Sequence, residues 1–241
     1  MEFFFTPDCN QNCSYCYLCK NKEQLYPKDI KDENIILKNF KIVLNYCIKE
    51  NLHPERFDLF SGDIWDREFG VKVLETLLEA VHNGFSPNLV MIPTNFCFLL
   101  STKYTEKMEY FLSEFSKTKV RLKLSCSNDG YYIDSMTRPL NPVQNSSTDL
   151  IKGSQEYYDK LFTFCKKWNM AFHPMVAAHG IEYWKENFEW WITSLEKYEF
   201  DPLLFSMFLE VRNDDWTEEK IIHYLKFLNH SCDFLYNHTF K

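Results

Sequence analysis

At 241 residues, 45% of them hydrophobic and 17% aromatic, the chain is too apolar for a disordered protein and long enough for one domain with a sizeable core. A formal charge of −7 argues against a nucleic-acid surface as its main business, because phosphate contacts need clustered Lys and Arg. Nine cysteines, an odd number and mostly without repeated spacing, fit a reducing compartment and not a disulfide scaffold.

Short apolar strands alternate with amphipathic helices along the chain. Met1–Thr6 reads as a strand ending at Pro7, and Glu33–Lys49 carries helical periodicity through Ile36, Phe40, Val43, Leu44 and Cys47. Phe57–Phe60 is a strand running into Ser61-Gly62-Asp63. Val71–His82 is a helix with Gly84 as its C′ residue. Leu89–Ile92 is the next strand, followed by a helix over Thr105–Phe115 that Thr102 or Thr105 could cap. Val120–Ser125 reads as a strand, then a long polar stretch runs from Tyr131 to about Gly153. Gln155–Trp168 is a helix, Met170–Val176 a strand and Ile181–Tyr198 a helix whose packing face holds Trp184, Trp190 and Trp191. Leu203–Val211 and Thr217–Leu228 complete the series as strand and helix. Six strand–helix repeats predict a parallel α/β sheet in a single domain over 1–241. No segment is apolar over a bilayer's span, and the start lacks the basic region of a signal peptide, so a cytoplasmic protein without a membrane partner is expected.

The chemistry-bearing feature is Cys9-x3-Cys13-x2-Cys16. Three thiolates on one tight loop can hold three irons of a cubane cluster and leave the fourth iron open to a ligand, and neither common ferredoxin spacing fits this run. The alternative is an all-thiolate zinc site that recruits Cys19, although the second C-x2–4-C half usual in such sites is missing.

The cysteine spacing, with aromatic Tyr15 before the third Cys, resembles the signature of the radical S-adenosylmethionine (radical SAM) superfamily. The resemblance implies a partial, three-quarter TIM-like (β/α)6 barrel. It also implies a [4Fe–4S] cluster on Cys9, Cys13 and Cys16 as the metal-binding and catalytic residues, and S-adenosyl-L-methionine (SAM) on the open iron. Reductive cleavage of SAM would then give a 5′-deoxyadenosyl radical that takes hydrogen from a substrate. A flavodoxin- or ferredoxin-like electron donor is the implied partner.

In barrels of this kind ligands lie at the C-terminal ends of the strands. Ser61-Gly62-Asp63 is similar to the family's Gly-Gly-Glu motif, which accepts from the SAM amino group; Ser replaces Gly and Asp replaces Glu. An ordinary strand-to-helix turn is the plainer reading. Thr94-Asn95 resembles the family's Thr-Asn pair at the rim, or serves as a cap. Ser125 or Ser127, before Asn128-Asp129-Gly130, resembles the serine near SAM in peptide-modifying members, with Asp129 read as a turn former. Arg138 matches the arginine that pairs with the SAM carboxylate, a planar guanidinium suiting a planar acid; otherwise it is a solvated loop residue before Pro139. Tyr15 would lie near the adenine. His179 and the charged run Glu210, Arg212, Asn213, Asp214, Asp215 would collect on the same rim. These segments resemble the peptide-modifying branch, so a peptide is one implied substrate; a small metabolite or RNA is the alternative. Only Cys232 follows Cys165, which implies a single cluster or a core shortened from a longer chain.

Overall fold

The computed structural model describes residues 1–20, 32–141, 149–201, 208–212 and 214–239. They fall into two compact units. The first holds Met1–Asn10, Tyr17–Ser125 and Asn141–Ile151; the second holds Gln11–Cys16, Cys126–Leu140 and Lys152–Lys241.

In the first unit, strands β1 (Glu2–Phe4), β2 (Arg56–Phe60), β3 (Leu89–Thr94) and β4 (Arg121–Cys126, its last residue in the second unit) stand side by side in chain order. The pairs are parallel where β1 meets β2 (Phe3 opposite Leu59) and β2 meets β3 (Phe57 opposite Val90). Parallel neighbours need long crossovers. Helices α2 (Glu33–Lys49) and α3 (Glu68–His82) supply them, after the short α1 (Tyr17–Lys20). The α2 helix starts where Asp32 accepts from the Asn34 N–H at 2.8 Å, and it buries Ile36, Phe40, Leu44 and Cys47 along one face. Phe40 packs against Phe3, Phe5 and Phe57 with centroids 4.8, 5.0 and 6.3 Å away. Burial of Phe5, Phe40 and Phe57 contributes about 1.5–3 kcal/mol each, whereas Phe3 is only half-buried. Gly84, at φ +108°, ends α3 as expected for C′.

Helix α4 (Thr102–Ser116) begins one turn earlier than the periodicity suggests, and neither threonine caps it. Its N-cap is Ser101, and Thr105 Oγ1 instead donates back to the Ser101 carbonyl at 2.8 Å.

The second unit contains α5 (Asp134–Thr137), α6 (Gln155–Trp168), β5 (Ala171–Phe172), β6 (Met175–Val176), α7 (Trp184–Lys197), β7 (Leu209–Glu210) and α8 (Glu218–Thr239). The expected strand over Met170–Val176 is two strands in different sheets, split at His173-Pro174. Pro174 has no N–H for a ladder. The His173 N–H turns to the Cys126 carbonyl at 2.7 Å, while β6 pairs in parallel with β7. Most of the expected sixth strand, 203–207, lies outside the described residues. The segment expected as one helix from Ile181 opens with a 3-10 turn over Ile181–Tyr183. Within α7, Trp184 and Trp191 are buried. The expected last helix continues well past Leu228: Ser231 Oγ donates to the Phe227 carbonyl and His230 bonds Glu189, so the polar Asn229-His230-Ser231 run is absorbed into α8. Phe227 seats that helix on Trp184 and Phe188 at 5.5 and 5.8 Å. Among the described residues, no helix is long and apolar enough to cross a membrane.

The architecture is therefore α/β with parallel pairing, as the alternation predicts.

Candidate functional site

Within the first unit, the chain leading into the cysteine loop is clamped by the turn after β2. The Gly62 N–H donates to the Thr6 carbonyl at 2.7 Å and the Asp63 N–H to the Asp8 carbonyl at 3.0 Å. A Cβ on Gly62 would stand 2.1 Å from the Asp8 carbonyl oxygen and 2.7 Å from that of Pro7, so only glycine allows this approach. Ser61-Gly62-Asp63 is thus more than a strand-to-helix turn. It fixes the backbone immediately before Cys9.

Asp63 is buried, and its carboxylate is used inside the protein. One oxygen accepts from the Thr94 hydroxyl at 2.9 Å and the Asn95 N–H at 2.7 Å, the other from the Trp65 N–H at 3.3 Å. Burial, with Asp66 nearby, pushes its pKa up to about 7 against these hydrogen bonds. Asp63 therefore ties the end of β3 to the end of β2.

Asn95 serves two ends at once. Its Oδ1 accepts from the Cys97 N–H two residues on at 2.9 Å, while Nδ2 donates to Asn10 Oδ1 at 2.6 Å and to Cys9 Sγ at 3.8 Å. The N-cap of the 3-10 turn that follows is Phe96, so Asn95 is not its cap. Asn10 passes the contact on through Nδ2 to Asp66 Oδ2 at 2.6 Å. Asn10 and Asp66 escape a sequence reading, since an Asn inside a cysteine loop and an Asp at a helix start are ordinary.

Within the second unit, Cys13, Tyr15 and Cys16 lie on a segment stitched to the stretch around Arg138. The Asn12 N–H donates to the Pro139 carbonyl at 2.9 Å and the Ser14 N–H to the Thr137 carbonyl at 2.8 Å; the Cys16 N–H turns back to the Cys13 carbonyl at 3.1 Å. Arg138 is buried at 6% exposure, which overturns the solvated-loop alternative. Its Nε donates to Gln11 Oε1 at 3.2 Å and Nη1 to the Tyr15 hydroxyl at 3.0 Å, with Asp129 and Asp134 oxygens each 3.7 Å from a guanidinium nitrogen. Lys152 pairs with Asp134 and donates to the Arg138 carbonyl at 2.7 Å, so two buried cations balance two buried carboxylates.

Asp129 is the hub of this unit. Its Oδ2 accepts from Tyr15 at 2.8 Å and Thr137 at 2.6 Å, and Oδ1 from the Met175 N–H at 2.9 Å. Its carbonyl accepts from Asn187 at 2.7 Å and the Trp191 indole at 3.2 Å. The turn reading captures only the neighbours: Asn128 Oδ1 accepts from the Gly130 N–H at 3.0 Å, and Gly130 sits at φ +103°. Burial pushes the Asp129 carboxyl above its ordinary range, with Arg138 pulling the other way. The Tyr15 phenol is likewise raised well above its usual value by burial, again opposed by Arg138.

Ser125 and Ser127 flank Cys126 at the end of β4, both half-buried. His179 is exposed; its N–H and that of Ala178 donate to Asp214 at 3.4 and 2.8 Å. Glu210 is exposed and accepts from Tyr224. Asn213 and the side chain of Cys19 lie outside the described residues.

The loop cysteines suit an Fe–S cluster by donor chemistry. Cys9, Cys13 and Cys16 are half-buried and in no disulfide, whereas Cys47, Cys97, Cys126 and Cys165 are buried. An amide N–H meets Cys9, and Cys13 Sγ lies 3.8 Å from Gln11 Oε1. Burial pushes the Cys13 thiol up to about 11, so a bound cation is needed to displace its proton. As placed, no three His, Cys, Asp or Glu side chains among the described residues are gathered to hold a metal ion.

No family model matches the chain, and no curated protein matches it. Among solved structures, that of native anSMEcpe with bound AdoMet is similar, with a TM-score of 0.62 at 15% identity. The likeness covers 98% of this chain and 61% of that one, so this chain spans less than two thirds of that protein's length. At this identity the likeness is one of fold, and it extends over nearly the whole of the present chain.

Proposed function

We propose that this chain is a radical SAM enzyme whose Cys9, Cys13 and Cys16 hold a [4Fe–4S] cluster, in a fold that forms the family's three-quarter barrel. The reading is carried by the Cys9-x3-Cys13-x2-Cys16 loop, whose three half-buried cysteines are in no disulfide, in a chain whose fold resembles that of an AdoMet-bound protein. When bound, the cluster would supply the electron that splits SAM into the radical that abstracts hydrogen from substrate.

The chain's own residues would bind, orient and shield. The Ser61-Gly62 turn offers backbone acceptors for the SAM amino group. Asp63, whose oxygens are engaged within the protein, holds that turn and Asn95 in place. Arg138, proposed for the SAM carboxylate, also donates to Tyr15 and faces Asp129 and Asp134, so it would hold Tyr15 in place as well, and Ser125 or Ser127 offers a hydroxyl from the end of β4. The substrate is proposed to be a peptide side chain, on the resemblance to peptide-modifying members, and the electron donor a flavodoxin- or ferredoxin-like protein of the cytoplasm.

Anaerobic reconstitution followed by analysis for iron, sulfide and zinc tests the cluster. Equal iron and sulfide, lost when all three loop cysteines are replaced by Ala, supports it. Zinc without sulfide overturns it and leaves a metal-binding protein of another kind. Formation of 5′-deoxyadenosine from SAM under reduction then tests the chemistry.

A further inference from the structure

We infer that Asn95 is a positioning residue for Cys9, its amide locked by an Asp66–Asn10–Asn95 chain so that one N–H faces the Cys9 sulfur. The inference rests on the cluster reading above and adds to it the groups that would set the electronic environment of one ligand.

The lock follows from donor and acceptor chemistry at both ends. An ionised Asp66 can only accept, so Asn10 must turn its NH2 toward it, as found at 2.6 Å. Asn10 Oδ1 then faces Asn95 and requires a donor there, found at 2.6 Å. From the opposite side the Cys97 N–H can only donate, so it requires Asn95 Oδ1, found at 2.9 Å. Reversing the Asn95 amide would set oxygen against oxygen at Asn10 and NH2 against N–H at Cys97. Reversing Asn10 would set its oxygen against the Asp66 carboxylate. Asn10 and Asn95 are buried at 2% and 3% exposure, so little water is at hand to repair either mismatch. The two ends agree on one orientation, and in it Nδ2 lies 3.8 Å from Cys9 Sγ.

Protonation of Cys9 changes what this arrangement is worth. As a thiol, Cys9 also donates to Asn10 Oδ1 at 3.7 Å. Metal binding removes that proton and ends the donation. The Asn95 N–H contact survives and gains strength, because its acceptor is now a thiolate. Hydrogen bonds to cluster sulfurs stabilise the more negative, reduced state and so raise the reduction potential. Removing the Asn95 donor should make the cluster harder to reduce.

The experiment is an anaerobic redox titration of the reconstituted protein, followed by EPR, for wild type, Asn95→Leu and Asn10→Leu. Both substitutions are neutral, so neither adds or removes a charge beside the cluster. Asn95→Leu keeps the side chain's bulk but loses the N–H. Asn10→Leu keeps Asn95 itself and removes the acceptor that orients its amide. Expected are wild-type iron and sulfide in both variants, with a midpoint shifted to more negative potential, further for Asn95→Leu than for Asn10→Leu. An unshifted or positively shifted midpoint in Asn95→Leu overturns the inference. If Asn95→Leu takes up no cluster, Asn10→Leu decides by the same criterion. Loss of cluster from both overturns it in favour of a purely structural role. Wild-type protein that binds no iron and sulfide would instead defeat the cluster reading itself, so the two failures are distinguishable.

Discussion

The Tyr15 hydroxyl donates to the Asp129 carboxylate at 2.8 Å, joining residues 114 positions apart in the chain. The same oxygen accepts from Arg138 at 3.0 Å, so one phenol links the cysteine segment to both charges of a buried pair. Tyr15→Phe keeps the ring and removes both bonds. Asp129 retains Thr137 and Met175 as donors, so the expected cost is about 1–3 kcal/mol. Urea denaturation measures it, and a change of only a few tenths would show that the phenol does not tie this segment down.

Arg138→Met would leave Asp129 and Asp134 facing Lys152 alone. Removing one partner of a buried ionic cluster costs about 3–5 kcal/mol, far more than loss of a surface pair. Removing Lys103, whose bridge to Glu68 is exposed at both ends, should be nearly neutral. Denaturation midpoints of Arg138→Met and Lys103→Met decide this. Equal midpoints would contradict the buried network.

Gly62→Ala places a methyl into the Asp8 carbonyl, at a backbone contact with no flexible side chain to give way. A loss of about 3 kcal/mol is expected, together with reduced iron uptake, because the displaced Pro7-Asp8 segment leads directly into Cys9. Gly153, with nothing within 4 Å of an added Cβ, tests whether crowding is the cause. Its φ of +83° predicts a smaller backbone penalty for Gly153→Ala and unchanged iron uptake.

Asp63 makes stability depend on pH in a defined direction. Its folded pKa of about 7 lies above the ordinary 3.8, so the folded state holds the proton more tightly than the unfolded chain. That contribution is fully present below pH 3.8 and is lost as pH rises through about 7. Asp66, also raised by burial, adds in the same sense. Asp63→Asn should flatten the fall in stability across this window, as read by thermal unfolding at a series of pH values. An unchanged slope would show that Asp63 is not its source.

Local rules made the helices legible. Glu33–Lys49 and Gln155–Trp168 match their expected limits because periodicity and the caps at Asp32 and Ser154 agree. Strand five failed where His173-Pro174 interrupts an apolar run, and α8 ran past its expected end because tertiary partners satisfied His230 and Ser231. The cysteine loop, Gly62 and Arg138 stood out by type and spacing. Asn10, Asp66 and Asp134 did not, since their significance lies in partners 56 and 85 residues away for Asn10, or in the Lys152 pairing for Asp134. Asp129 looked like half of a turn because its burial is set by α7 and by Tyr15, which no local window contains.

The central claim is that Cys9, Cys13 and Cys16 hold a cluster with an iron open to SAM. The most direct measurement is the EPR spectrum of anaerobically reconstituted, reduced protein with and without SAM. The account predicts a reduced [4Fe–4S] signal whose shape changes when SAM is added. A cluster signal indifferent to SAM, or no cluster signal with zinc in its place, would contradict it.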